Sequence, residues 1–239
     1  MFPTTRQGCE RSGGLASVMA SVLTVNTASA PIDLGELRTG IDKRPSGEPL
    51  AVSAPGPAKT GPGSGVAGDS ICNRRYHGGD DQAVYAYARE DLDRWERELG
   101  RELTNGMFGE NLTTAGVDVT ASLVGERWAV GSDGLVLEVT SPRTPCRTFT
   151  TWLGIRGWMK TFTAAALPGA YFRVIEPGQV RAGDAIEVIS RPDHTVTVGV
   201  VFRALMSEPE LLPGLTVADA LPAKIQRQVA RRVGQSAAE

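Results

Sequence analysis

Ser141-Pro142-Arg143-Thr144-Pro145-Cys146-Arg147-Thr148-Phe149 places one thiol between two prolines and two arginines. The prolines fix their own φ and push the residues before them towards extended geometry, so the segment leaves the preceding strand as a stiff, non-helical lead-in. Cys146 then stands where a helix can begin, because Phe149, Trp152 and Leu153 carry the apolar spacing of one or two helical turns. A thiol near a helix N-terminus with guanidinium groups close by has its thiolate favoured, and the thiolate is both nucleophile and soft metal ligand. A cysteine that is simply buried in packing is the alternative.

Working outward, Arg127 to Val130 and Leu135 to Thr140 read as strands around the turn Gly131-Ser132-Asp133-Gly134, and the second delivers the chain to Cys146. Beyond the cysteine, Gly169 to Ile175 and Ala185 to Ile189 read as strands joined by turns at Pro177-Gly178 and Gly183-Asp184. His194 to Val201 alternates as one more strand. From Glu208 to Val233, Pro209, Pro213 and Pro222 divide a helical tail in which Ile225, Val229 and Val233 keep the spacing of a buried face. On the N-terminal side, Ser21 to Thr27 alternates as a first strand, and Asp33 to Ile41 and Glu48 to Ala54 read as strands around Pro45-Ser46-Gly47. Ala83 to Tyr87 reads as a strand. Glu90 to Leu99 follows as a helix with Leu92, Trp95 and Leu99 on its core face and Gly100 after its end.

A chain of 239 residues can bury a substantial core, and 41% hydrophobic with 22% charged residues describe an ordinary globular protein. A net charge of −2 gives no general attraction to nucleic acid or anionic membrane, and no stretch reaches the roughly 20 apolar residues of a membrane span. The 28 glycines and 15 prolines argue for many turns and against a helical bundle. Cys9, Cys72 and Cys146 lie far apart without a Cys-x-x-Cys pair, against a disulfide framework or a zinc or iron–sulfur site. Arg6 and Arg11 before Leu15 to Val25, with Ala28-Ser29-Ala30 after it, have the outline of an export signal. Ser17, Ser21 and Thr24 dilute the run, and the favoured reading is a cytoplasmic protein whose first 20 residues are a disordered or mis-started extension, with Met19 as a start.

Three further stretches can meet a ligand. Asp42-Lys43-Arg44-Pro45 puts two cations at a turn, as surface charge or as an anion site. His77-Gly78-Gly79-Asp80-Asp81 has adjacent glycines, which make either an anion-binding nest or a plain turn. Gly106-Met107-Phe108-Gly109-Glu110-Asn111-Leu112 sets a carboxylate and an amide beside glycines, to hold a polar ligand or to satisfy loop backbone. Gly63-Ser64-Gly65-Val66-Ala67-Gly68 matches a dinucleotide-binding fingerprint literally, but no strand precedes it and no helical pattern follows, so it reads as loop.

Taken in order, Asp42 to Pro45, His77-Gly78-Gly79 with Ala83 to Tyr87, Phe108 to Leu112 and Pro142 to Cys146 resemble the MOSC domains, in their YiiM-like branch, over about Ser21 to Pro192. The resemblance implies a mainly β fold: a β-barrel over 21–192 with a few short helices, followed by a C-terminal strand and helical region over 193–239. It also implies a molybdenum cofactor of the molybdopterin type, with the metal on the sulfur of Cys146. Lys43, Arg44, Arg143, Arg147 and the Gly78-Gly79 turn would supply cations and N–H donors to the cofactor, together with the segment Phe108, Gly109, Glu110 and Asn111. His77 and Asn111 are implied as pocket or proton-handling residues. Gly109 stands where related amidoxime-reducing proteins carry an arginine, so another arginine must replace that contact.

Two functions follow. One is a molybdenum oxidoreductase that removes oxygen from N-hydroxylated small molecules such as hydroxylaminopurines or amidoximes. The chain has no flavin, haem or iron–sulfur motif, so its electrons would come from a separate electron-transfer protein. The other is a sulfur carrier, with Cys146 holding a persulfide from a separate pyridoxal-phosphate-dependent cysteine desulfurase. A cofactor storage or chaperone module is a third.

Overall fold

The structure, a computed structural model, describes residues 19–236. The readings made for the residues before Met19 lie outside that range. Twelve strands and five α-helices run in the order β1 (Ser21–Thr27), β2 (Ile32–Leu34), β3 (Leu37–Thr39), β4 (Arg44–Pro45), β5 (Leu50–Val52), β6 (Val84–Ala88), α1 (Arg89–Leu99), β7 (Leu112–Ala115), β8 (Arg127–Val130) and β9 (Leu135–Pro142). Then come α2 (Arg147–Leu153), α3 (Trp158–Ala165), β10 (Ala170–Glu176), β11 (Gly178–Val180), β12 (Ile186–Ser190), α4 (Val198–Met206) and α5 (Ala223–Ser236). Short 3-10 segments precede β6 at Asp80–Gln82 and α5 at Pro209–Val217.

Eight strands form one sheet in the order β12-β8-β9-β10-β6-β7-β1-β4; β5 with β11 and β2 with β3 make separate ribbons. The pairing is antiparallel except between β6 and β7, which run parallel because α1 returns the chain across the sheet. The expected closed barrel is corrected here. At the open side β1 and β12 meet at the bridge Ser21↔Ala185, with Val22 N donating to Asp184 O, Gly183 N to Val22 O and Ile186 N to Ala20 O, each at 2.8 Å. Past that point the edge of β1 is taken by β4, and β12 forms a ladder with β8 alone among the described residues, so no ladder closes the sheet.

β6 explains how the sheet carries two cores. All five of its residues are buried. Val84, Ala86 and Ala88 face one cluster with Val22, Val139, Trp128 and Phe172, while Tyr85 and Tyr87 face an aromatic cluster with Trp95, Phe108, Phe149, Trp158 and Phe162. The helix expected after β6 forms: Leu92 and Trp95 are buried, and Gly100 caps it in the left-handed conformation. The Trp95 indole donates to the Tyr87 hydroxyl at 2.9 Å, which in turn donates to the Leu167 carbonyl at 2.9 Å.

Asp33 to Ile41, expected to be strand-like, contains the hairpin β2–β3, turned at Gly35 with φ 63°. The strand expected over His194 to Val201 is also corrected. Thr197 caps a helix there, its hydroxyl accepting from Val200 N at 3.1 Å, and Val198, Val201 and Phe202 are buried at helical spacing. That helix packs with the tail, where Leu212, Leu215 and Val229 form a third apolar cluster. No helix among the described residues is long and apolar enough to cross a membrane.

Candidate functional site

Ser141 and Pro142 at the end of β9 still pair with Tyr171 and Ala170 of β10. The chain then leaves the sheet in extended form, and Cys146, at φ −141° and ψ 169°, is the N-cap of α2. Thr150 locks that turn, its amide donating to the Cys146 carbonyl at 3.1 Å, and Phe149 and Leu153 anchor the helix in the aromatic cluster. The Cys146 thiol is free and half-buried.

It lines a cleft of about 800 Å³ including the open mouth. Of the residues expected at a site, Lys43, His77, Gly78, Gly109, Asn111 and Arg143 line the same cleft as Cys146. The cleft also takes Arg38, Cys72, Tyr85 and Tyr171, and its lining contains no carboxylate.

Arg143 is buried beneath this cleft, its guanidinium carbon 4.2 Å from the Phe149 ring centre and 5.2 Å from that of Tyr85. One of its amino groups donates to the Phe108 carbonyl, while Nε is buried without a partner. A Cβ at Gly109 would lie 3.3 Å from Arg143 Nη1. The guanidinium therefore occupies the space beside Gly109, where an arginine was missing from the sequence motif.

Lys43 and Asp69 form a buried ion pair, with 4% of the lysine side chain and none of the aspartate side chain exposed. Burial pulls the Lys43 ammonium below its ordinary range, with Arg143 adding to that pull, while Asp69 and Glu110 oppose it. Asp69 Oδ2 also accepts from Ser64 Oγ at 2.7 Å and Asn111 Nδ2 at 2.9 Å, and Oδ1 accepts from Ala28 N at 2.9 Å. One carboxylate thus ties β1, the Ser64 loop, Lys43 and Asn111 together beneath the cleft. Asp69 escaped the sequence reading, since it sits in no motif and its partners lie 5 to 42 residues away.

Several expected site residues have other employment. The Asn111 amide is spent on structure: Oδ1 accepts from Tyr85 N at 3.2 Å, and Nδ2 donates to Asp69 and to Asn26 O. Glu110 is fully buried and accepts from Gly106 N at 2.6 Å, Phe108 N at 3.0 Å and Thr113 Oγ1 at 2.9 Å, so it fixes the loop; burial pushes its carboxyl up. Phe108 is core. Arg44 is outside the cleft, 65% exposed and paired with Asp42, and Arg147 is exposed. Of the two readings of Gly78-Gly79, nest or turn, the turn is the one seen: Gly78 N donates to Gln82 Oε1 at 3.1 Å and Gly79 N to Gly63 O at 2.9 Å, which leaves neither N–H for a ligand. Both glycines are nevertheless required, at φ 83° and 85°, with a Cβ coming within 2.6 Å of Gly63 O or 2.8 Å of Ala58 N.

His77 lines the cleft as a neutral imidazole. Burial, reinforced by the charges of Arg143 and Lys224, lowers it to about 4. Cys72 faces the same space, and burial raises its thiol.

A soft sulfur donor beside a carboxylate-free lining that holds Arg38, Lys43 and Arg143 has the chemistry to hold a thiophilic metal carried on an anionic organic group. The sheet, the cysteine beyond the end of β9 and this cleft define a β-rich domain with free thiols at a cationic cofactor-type pocket. The chain belongs to the MOSC domain family: the family model matches residues 73–187, and YflK of Bacillus subtilis, described as uncharacterized, is 32% identical over 186 residues, covering 77% of this chain and 79% of YflK. YiiM of Escherichia coli is 30% identical over 132 residues, 53% of this chain and 57% of YiiM. A protein of Gibberella moniliformis named Reductase is 29% identical over 191 residues, which cover 79% of this chain but 32% of that longer protein. The crystal structure of YiiM from Geobacillus stearothermophilus has the same fold, with a TM-score of 0.71 over 89% of this chain and 98% of that one at 23% identity.

Proposed function

We propose that this chain holds a molybdenum pterin cofactor in the Cys146 cleft and reduces N-hydroxylated compounds. The observation that carries the reading is the free Cys146 thiol at the start of α2, opening on a cleft whose charged lining residues are all cationic. Cys146 would be the metal ligand, and Lys43 and Arg143 would hold the anionic part of the cofactor from below. The cofactor, when bound, would supply a centre that accepts an oxygen atom from the substrate. Reduction of an N-hydroxyl group consumes two electrons and two protons and releases water. His77, neutral at pH 7, can accept or orient a hydrogen bond but is not itself a stored proton. The electrons would come from a separate protein. A relative named Reductase supports oxidoreductase chemistry.

The test is molybdenum and pterin content of protein purified from a host that makes the cofactor, together with reduction of 6-hydroxylaminopurine and benzamidoxime by reduced methyl viologen. Near-stoichiometric molybdenum and turnover in the wild type, both lost in Cys146→Ser, are expected. Folded wild-type protein without molybdenum, carrying a roughly 32-dalton adduct that Cys146→Ser lacks, would replace this reading with persulfide carriage.

A further inference from the structure

A second layer of cations stands outside the cleft, in exposed positions. Tyr76 is 54% exposed, and the Arg75 guanidinium and the Lys224 ammonium lie 5.4 Å and 5.8 Å from its ring centre. Lys224 belongs to the first turn of α5, so the C-terminal helix reaches the site. The approach to that helix is fixed from the sheet: Arg173 of β10 donates to the Ala220 carbonyl at 2.9 Å while pairing with Asp81 and Glu138. The Lys224 charge is also felt at His77, which lines the cleft, so one ammonium serves both the exposed ring and the cleft wall. Among the described residues, neither Arg75 nor Lys224 has a carboxylate within ion-pair distance, a property they share with other exposed cations such as Arg147 and Lys160 but combine here with a shared aromatic ring.

A half-exposed tyrosine ring with two cations 5.4 Å and 5.8 Å from its centre suits a planar ring that carries a negative group. The ring stacks on the tyrosine and the anion meets the cations. Depth separates this shelf from the cations of the cleft floor. Lys43 and Arg143 are buried in the cleft and Arg38 lines it from an exposed position, while Arg75 and Lys224 are exposed outside its lining.

We infer that Tyr76, Arg75 and Lys224 form an outer recognition shelf for a phosphate-bearing planar substrate, so that an N-hydroxylated base is taken as its nucleoside monophosphate in preference to the free nucleoside. The N-hydroxylated part of this statement rests on the proposed reductase function; the shelf itself does not.

The experiment is calorimetric binding of N6-hydroxyadenosine 5′-monophosphate, N6-hydroxyadenosine and inorganic phosphate to the cofactor-loaded full chain, followed by kcat/KM for the first two. The monophosphate should bind about tenfold tighter than the nucleoside, since two exposed charge contacts contribute about that much together. Lys224→Ala with Arg75→Ala should reduce that advantage to within about twofold without weakening the nucleoside. Tyr76→Ala should weaken both by at least about fivefold, the cost of losing one stacked ring. Equal affinity for monophosphate and nucleoside in the wild type, or an advantage that survives the double substitution, overturns the inference. So does a double substitution that leaves small-ligand binding intact but slows reduction by an acidic electron-transfer protein, which would assign the cations to a protein contact. Nucleotide selectivity in a protein that reduces neither compound sinks the reductase reading and leaves the shelf standing; equal kcat/KM for both sinks the shelf alone.

Discussion

Asp69→Asn keeps the size of the side chain and removes one charge from a fully enclosed pair. In the wild type the Lys43 ammonium is held by Asp69 through charge and hydrogen bond, against the opposing pull of burial and of Arg143. Loss of the carboxylate leaves a buried ammonium uncompensated and weakens acceptance from Ser64 and Asn111, which costs about 3–5 kcal/mol when one member of a buried pair is removed. With an m-value of about 2.5 kcal/mol/M, the urea midpoint at pH 7 should fall by roughly 1.5 M. The pH dependence follows from the direction of the lysine shift. Because the folded state holds Lys43 below 10.5, the unfolded chain binds more protons between the folded value and 10.5, and stability rises with pH across that window. Asparagine at position 69 lowers the folded value further and widens the window downward, so the loss in stability should shrink as pH is raised from 7 towards 10. Lys43→Met added to Asp69→Asn should restore most of the stability, since it removes the stranded charge. A loss below about 1 kcal/mol at pH 7, or one that stays flat from pH 7 to 10, refutes the reasoning.

Gly109→Ala forces a side chain onto a φ of 74°, with its Cβ 3.2 Å from Ile41 Cγ1 and 3.3 Å from Arg143 Nη1; a destabilisation of about 1–2 kcal/mol should lower Tm by roughly 2–8 °C, and the displaced guanidinium should reduce bound molybdenum. An unchanged Tm with full metal content would mean that Arg143 is not held by this contact. The imidazole of His77 is lowered to about 4 from 6.5, so the unfolded chain takes up its proton first as pH falls and stability drops between those values. Its C2 proton shift in NMR should stay flat from pH 8 to 5, and His77→Gln should flatten the acid side of the stability profile; titration near 6.5 counts against the buried position.

The parts of the fold legible in the sequence are those governed by neighbours in the chain. Gly100 ends α1 and Cys146 begins α2 because cap and proline geometry are local. His194 to Val201 misled because Val196, Val198 and Val200 alternate as well as a strand does, and only the Thr197 cap and the packing of Val201 and Phe202 turn the segment into a helix. Closure of the barrel is a long-range matter, since it depends on β1 meeting β12, and these two touch over residues 20–22 and 183–186 without forming a ladder. At the site, Arg143 and Cys146 were visible as residues of one short motif. Asp69 and Tyr76 were not, because a hub is defined by partners distant in sequence and a shelf by a helix that begins 147 residues later.

The cleft walls come from residues 37–43, 64–82, 109–111 and 143–148 together with Tyr85 and Tyr171, and Lys224 stands outside them against Tyr76. No short run of chain holds enough of them to resemble the finished pocket. Such pairings between distant segments form late and slowly in folding, because loop closure precedes the contacts that reward it. The pocket therefore matures only when β9, β10 and the 64–82 loop have docked, and the cofactor proposed for it would have to be delivered to an already folded chain. Truncated forms should fail at loading before they fail at chemistry.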